Sequence, residues 1–303
     1  MTASHFIPLT LIKATPILLA CLGGLLSELS GVVNFALEGM LLMGAFGAVW
    51  ASFVTGSPWI GLLGGMAGGM LVGLLHAGAS LSLRANQIVS SIALNLLAAG
   101  GTGMFLNQLF EVYGTSPAVP GLPTLAQSLS AFFPSSMPAG PWVRGLSLMV
   151  PMALTLGIAV AALLKWSRWG LDLRACGENP YAAAGAGIPV LRMRFTAVVA
   201  GGALSGLGGA YLSIGELSQF VEQMSHGRGY LAIAALILGR WHPVGALGAA
   251  VFFGFCEVLS EWLAVRWPRF PHQGFLCLPY LLCVLVLFCP LGKRRPPSAL
   301  GKL

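Results

Sequence analysis

The sequence predicts an all-α membrane protein, a polytopic bundle of about eight to ten transmembrane helices, some of them short or broken. Three observations carry this. Of 303 residues, 56% are hydrophobic and only 8% charged, too few charges to cover a soluble globule. Windows at 6–26, 32–54, 59–81, 88–106, 146–164, 195–214 and 244–264 each supply the roughly 20 apolar residues a helix needs to cross the hydrocarbon core. Their apolar runs are continuous, whereas a transmembrane barrel would alternate over strands of about 10 residues. Two shorter windows, 230–239 and 275–291, supply the short or broken elements.

The first window contains "LLAC" ending at Cys21, similar to a lipoprotein cleavage box, but no basic segment precedes it and apolar sequence follows. It reads as a retained span, not a signal peptide. The other cysteines, Cys176, Cys256, Cys277, Cys283 and Cys289, form no CxxC pair, so all six read as small apolar side chains and no metal site is expected.

The second window, "SGVVNFALEGMLLMG", places Asn34 and Glu38 in a stretch otherwise fit for lipid. A charge at mid-helix costs about 2.5 to 3.5 kcal/mol on the insertion scale, so such residues face the bundle or a wet cavity. Four positions apart, the two share one helical face, and Gly31, Gly39 and Gly44 offer places for the helix to break. An unwound turn lining a cavity would tolerate both side chains. Two roles fit Glu38: a structural carboxylate satisfied by backbone amides, or a contact with solute or a gate.

In the third window Gly61, Gly65, Gly69 and Gly73 recur every four positions, a ridge for close helix contact. Gly202 with Gly206, and Ser205 with Gly209, repeat the pattern later. His76, Asn86, Gln87, Asn95, Asn107 and Gln108 add neutral hydrogen-bonding groups. They suit a polar uncharged solute better than a proton relay, which needs buried acids; interhelical hydrogen bonding is their other role. Glu257 and Glu261, four apart with Trp262 and Trp267 beyond, read as lying near the outer interface.

The formal charge of +7 maps sidedness and does not mark a nucleic-acid binder. Lys165, Arg168, Arg174, Arg192 and Arg194 crowd the connection 165–194, and Lys293, Arg294, Arg295 and Lys302 crowd the C-terminal end; the positive-inside rule makes both cytoplasmic. The side on which the first span starts stays open. The connection 108–145, rich in proline (Pro117, Pro120, Pro123, Pro134, Pro138 and Pro141), reads as an irregular outer loop. Within the basic connection, Asn179 is a candidate N-cap, Pro180 suits the first helical position and Gly187 a left-handed stop, giving a helix of under two turns over 181–186. So short a helix needs support, either from its own chain or from a partner into which it docks.

The chain has no GxxxxGK[ST] loop, no HExxH and no GxSxG. Three classes remain: a permease driven by a separate energy-coupling subunit, a self-contained carrier or channel, and a membrane-embedded enzyme. The short capped helix favours the first.

Over nearly its whole length the sequence also resembles the bacterial ABC-importer permeases related to the branched-chain amino acid and ribose permeases, most closely the nucleoside or simple-sugar branch. The resemblance rests on "SGVVNFALEGMLLMGAF", "LRANQIVSSIALNLLAAGGTG", "WGLDLRACGENPYAAAGAGI", "LSGLGGAYLSIGELSQFVEQMSHGRGYLAIAALILGRWHPVGAL" and "PPSALGK". Ser91 stands where glycine is usual and Phe35 where leucine is usual. The resemblance implies an ABC importer transmembrane-domain fold, with 1–303 a single permease domain in the bacterial cytoplasmic (inner) membrane. Such a chain is no enzyme and carries no cofactor; ATP and Mg are bound by partner subunits. The implied partners are ATP-binding cassette subunits, a second homologous permease and an extracytoplasmic solute-binding protein facing outer segments such as 216–228. Gly177, Glu178, Asn179, Pro180, Tyr181, Ala182, Ala183 and Gly187 fall where these permeases carry the coupling helix. The implied solute is a nucleoside, with a simple sugar or branched-chain amino acid as alternatives. Asn34, Phe35, Glu38, Asn86 and Asn95 are the path candidates, with Glu38 expected to fix the broken backbone and Asn34 to line the path.

Overall fold

Apolar run length and proline or asparagine caps set the helices in the computed structural model, which describes residues 3–132, 146–267, 274, 275, 277–288 and 296–302. Lys293, Arg294, Arg295, Cys289, Pro134, Pro138 and Pro141 lie outside the described residues. In chain order the helices are α1 (Ala3–Leu29), α2 (Leu37–Thr55), α3 (Pro58–Ala77), α4 (Gln87–Phe110), α5 (Leu125–Phe132), α6 (Met149–Trp166), α7 (Arg168–Glu178), α8 (Pro180–Gly185), α9 (Val190–Ala210), α10 (Arg228–Leu238), α11 (Pro243–Arg266) and α12 (Leu278–Phe288). π-Helical turns at Gly78–Ser82 and Tyr211–Leu217 extend α3 and α9.

Among the described residues, seven helices are long and apolar enough to cross a membrane: α1, α2, α3, α4, α6, α9 and α11. The protein is therefore an all-α, multi-pass membrane protein. α10 is apolar but only 11 residues long, about half of a crossing. Gly56, in the left-handed region at φ 68, closes α2, and Pro58 opens α3 where its missing N–H costs nothing.

α1 and α9 form the centre, their membrane windows 78% buried, whereas those of α4 and α6 are 33% buried and make up the periphery. Glycine permits this. Gly65 and Gly69 of α3 meet Gly202 and Gly206 of α9 so closely that a Cβ at Gly69 would overlap the Gly202 carbonyl. At the ends of that ridge a Cβ would lie 2.9 Å from Ile214 Cδ1 at Gly61 and 3.1 Å from the Val198 carbonyl at Gly73. Gly64 and Gly68 present a second small face to Gly47 and Met43 of α2, and Gly23 of α1 abuts Gly201 of α9. With no hydrophobic effect to drive helices together in lipid, such backbone approach is what holds them.

Two connections are more ordered than the sequence suggests. Residues 165–194 are mostly helical: Ser167 accepts a hydrogen bond from Gly170 N (3.0 Å) and starts α7, whose Gly170, Leu173, Cys176 and Gly177 face inward. In 108–145, α4 runs on to Phe110 and α5 forms at Leu125–Phe132, because Thr124 and Gln127 bond reciprocally there (2.9 and 3.3 Å). Cys21, Cys176 and Cys256 are buried free thiols, and Cys277 is exposed.

The course of α1 is clear from its two ends. Phe6 stacks edge-on with Trp262 near the end of α11, ring centroids 6.0 Å apart, while Leu29 meets Gly177 of α7. α1 therefore starts on the side opposite α7 and α8 and ends beside them.

Candidate functional site

Between α1 and α2 the chain leaves the helix over residues 30–36, with Gly31 at φ +95. Asn34 and Glu38 consequently do not share a helical face as their spacing suggests. Gly31 ends α1 before Asn34 is reached, and Glu38 belongs to the first turn of α2.

A broken backbone inside a bundle must have its polar groups satisfied by protein. α3 and α4 do this with side chains. Val33 donates its N–H to Gln87 Oε1 (2.7 Å) and its carbonyl accepts from His76 Nε2 (3.0 Å). That bond makes Nε2 the protonated ring nitrogen, leaving Nδ1 to accept from Ser90 Oγ at 3.2 Å. Phe35 donates to Ser91 Oγ (3.2 Å), and its carbonyl accepts from Asn95 Nδ2 (2.9 Å). Asn95 Oδ1 in turn accepts from Gly39 N at 2.9 Å. Gln87, Ser91 and Asn95 stand four apart and so form a polar ladder on one face of α4. Sequence reasoning named all three without seeing the ladder, for which the repeat of four was the available signal.

Glu38 holds a different element. Its Oε1 accepts from Gly227 N (2.8 Å) and its Oε2 from Gly229 N (2.7 Å), two unpaired amides at the start of α10. A carboxylate at a helix N-terminus also meets a favourable dipole. Gly229 has no room for a side chain, since a Cβ would lie 2.5 Å from Glu38 Cα. Asn34 is 1% exposed and serves the break itself: Oδ1 accepts from Ala36 N (3.1 Å) and Nδ2 donates to Ser27 Oγ (3.1 Å). Asn86 is exposed and apart from this assembly, its Oδ1 capping α4 by accepting from Ile88 N (2.9 Å) and Val89 N (3.2 Å).

The structure thus brings Phe35, Glu38 and the buried Asn95 together along the break, sets Asn34 behind it and leaves Asn86 out. It adds Tyr230, which is 47% exposed and whose hydroxyl accepts from Asn95 Nδ2 at 3.2 Å. Phe35 and Glu38 are half-buried. The break thus presents the Phe35 and Tyr230 side chains and the Glu38 carboxylate, with the buried Asn95 amide bonded to Tyr230. Among the described residues no group of three or more His, Cys, Asp or Glu side chains could hold a metal ion.

At the end of the bundle that carries α7, Asn179 Oδ1 accepts from Ala182 N (3.1 Å) and starts α8, which ends at Gly185 before Gly187 at φ +83. Only Ala183 of that helix is buried, and Tyr181 is 84% exposed. A cavity of about 850 Å³ beside it is lined by Leu81, Arg84, Tyr181, Leu191 and Arg194. At the opposite end, Lys13 pairs with Glu216 and Glu261 (both 3.2 Å) and Arg228 pairs with Glu257 (3.4 Å). Glu257, its side chain 14% exposed, is drawn against the bundle at this end by Arg228.

Comparison with known proteins gives a consistent picture. Residues 7–287 match the family described as the branched-chain amino acid transport system / permease component. The chain is 37% identical to the guanosine ABC transporter permease protein NupQ of Bacillus subtilis over 98% of its own length and 95% of that protein. It is 33% identical to the nucleoside ABC transporter permease protein NupC of Lactococcus lactis over 96% and 93%. To the putative glucose ABC transporter permease protein TsgC13 of Haloferax volcanii it is 34% identical over 85% and 77%. No solved structure matches the chain.

Proposed function

Because the chain belongs to the branched-chain amino acid transport system / permease component family, we propose that it is the membrane-spanning subunit of an ATP-driven nucleoside importer. The observation that carries the mechanism is the break at 30–36, an interrupted backbone held inside the bundle by neutral side chains with Phe35, Glu38, Asn95 and Tyr230 along it. Interrupted segments of this kind border the solute path in transporters. Aromatic faces suit a nucleobase, and amide, hydroxyl and carboxylate groups suit ribose hydroxyls. Relatives named for guanosine and nucleosides cover 98% and 96% of this chain at 37% and 33% identity, whereas a relative named as a putative glucose permease, at 34% identity, covers 85% of it; the fuller coverage favours a nucleoside over a sugar.

The basic end carrying α7 and α8 is the cytoplasmic one in this reading, and the membrane is the bacterial cytoplasmic membrane. α8, exposed and anchored through one alanine, is the coupling helix that meets the ATP-binding subunit; a second, homologous permease and an extracytoplasmic binding protein complete the machine. Each hydrolysis cycle in the partners shifts α8, and the paired permeases rock to open the path alternately to either side.

Uptake of radiolabelled nucleosides and sugars into proteoliposomes, with and without the partners and internal ATP, tests this. Nucleoside uptake only with the full set is expected. Sugar uptake alone would replace the solute, and uptake by the isolated chain would make it a self-sufficient carrier. Replacing residues 181–184 by a Gly/Ser stretch is expected to abolish co-purification with the ATP-binding subunit, and retained co-purification would overturn the role of α8.

A further inference from the structure

Arg194, in the second turn of α9, is 3% exposed, yet it ties three separate segments together. Its guanidinium donates from Nε to the Ser30 carbonyl (3.0 Å), from Nη2 to the Cys176 carbonyl (3.3 Å) and from Nη1 to the Lys302 carbonyl (2.9 Å). Ser30 follows the last residue of α1, and Cys176 lies in the last turn of α7. Both are helix C-termini, whose partial negative charge suits a buried cation. The third carbonyl belongs to the C-terminal segment 296–302, which turns back into the bundle. There Ala299 N donates to Gly177 O (2.9 Å), Gly301 N donates to Gly31 O (3.0 Å) and Ser298 Oγ donates to Glu178 Oε2 (2.9 Å). Ala299 is buried, and Gly301, at φ +77, sits against Val33. One side of this segment thus holds Gly31 in the break. The other holds Gly177 and Glu178, immediately before Asn179 caps α8.

From this we infer that the C-terminal segment, pinned by Arg194, is the strut that couples α8 to the broken segment, with Arg194 its positioning residue. α8 has little other grip on the bundle, since only Ala183 is buried. The end of α7 and the break are connected through a fixed set of hydrogen bonds at Gly31, Gly177, Glu178 and Lys302, so displacement of α8 moves Val33 and Phe35 with it. An arginine is required, because one guanidinium presents fixed donors in several directions and a lysine ammonium cannot reach all three carbonyls at once.

This rests on the functional reading above, and two measurements separate its failure from the failure of that reading. In the reconstituted complex, truncation after Arg295 is expected to leave co-purification and solute-independent ATP hydrolysis within about two-fold while ATP-driven uptake falls about ten-fold or more, the scale of a lost coupling between sites. Unchanged uptake overturns the strut. So does a parallel fall in uptake, hydrolysis and co-purification, which marks the segment as structural only. In the purified chain, Arg194→Lys is expected to raise amide hydrogen exchange at Val33 and Phe35 together with Ala182 and Ala183; a rise confined to 296–302 overturns the linkage. If the unmodified complex takes up no nucleoside, the functional reading fails, and the exchange measurement still decides the strut.

Discussion

Two regions of this bundle solve the same problem, how to bring backbone close to backbone inside a membrane, in opposite ways. Where α3 meets α9, glycines remove the side chains and the main chains touch directly. At residues 30–36 the backbone is held by side chains reaching across from α3 and α4, His76, Gln87, Ser91 and Asn95 among them. The first arrangement depends on shape, and any added atom disrupts it. The second depends on discrete hydrogen bonds that can be exchanged for others without repacking a core. The difference predicts where the molecule moves: the glycine ridges act as the rigid body, and the break as the element whose hydrogen bonds can be exchanged within it.

The sharpest way to break this comparison is to put a side chain into the ridge. Gly69→Val would drive its Cβ into the Gly202 carbonyl, and because backbone cannot swing aside the cost is expected near the top of the overpacking range, about 3 kcal/mol. Thermal unfolding in detergent should show little folded protein. Gly100→Ala on α4, where a Cβ meets nothing within 4 Å, is the matching control and should be neutral or slightly stabilising. Equal melting of both variants would mean that the ridge is not what holds α3 to α9.

Next in size is Glu38→Gln. The carboxylate gives one oxygen to each of the Gly227 and Gly229 amides, and the variant turns an NH2 group toward one of them. Leaving that amide without an acceptor costs roughly 1 to 3 kcal/mol. The variant is expected to assemble with its partners yet lose most uptake, because α10 no longer registers against α2. Assembly lost in step with uptake would reduce Glu38 to a structural group. Asn95→Leu strands two backbone groups, the Gly39 N–H and the Phe35 carbonyl, at roughly 1 to 3 kcal/mol each, so it should harm the fold at least as much. Its expected signature is a higher nucleoside concentration for half-maximal uptake. An unchanged concentration dependence would separate Asn95 from the solute path.

How much of this the sequence shows depends on how local the signal is. The long spans are legible because each must contain its own apolar length, and Gly31 marks the break because a left-handed residue is a local requirement. The start of α8 is legible for the same reason, in Asn179 and Pro180. α7 escapes such reading: at 11 residues, with Arg168, Asp172, Arg174 and Glu178 among them, it has no apolar run and shows itself only in the inward spacing of Gly170, Leu173 and Cys176. Partners are less legible still. That Glu38 secures α10 while Asn34 secures the break depends on contacts with residues 189 positions away in one case and 7 in the other. The buried role of Arg194 is hidden in a basic connection that the charge count reads as surface.

The smallest effect should come from Asn86, the path candidate that the structure sets apart. Its carboxamide oxygen accepts from Ile88 N and Val89 N at the exposed start of α4, away from Phe35 and Tyr230. Asn86→Ala removes an N-cap and is expected to cost about 1 kcal/mol of stability. Uptake per folded molecule and preference among nucleosides should not change. Such an outcome would show that a polar residue in a span is best judged by the groups it satisfies, since Asn86 and Asn95 look alike in sequence yet one caps its own helix and the other holds the backbone of the break. A shifted preference among nucleosides on Asn86→Ala would instead extend the path along α4 to its cap, and the contrast between a rigid body and a single mobile break would have to give way to a longer mobile face.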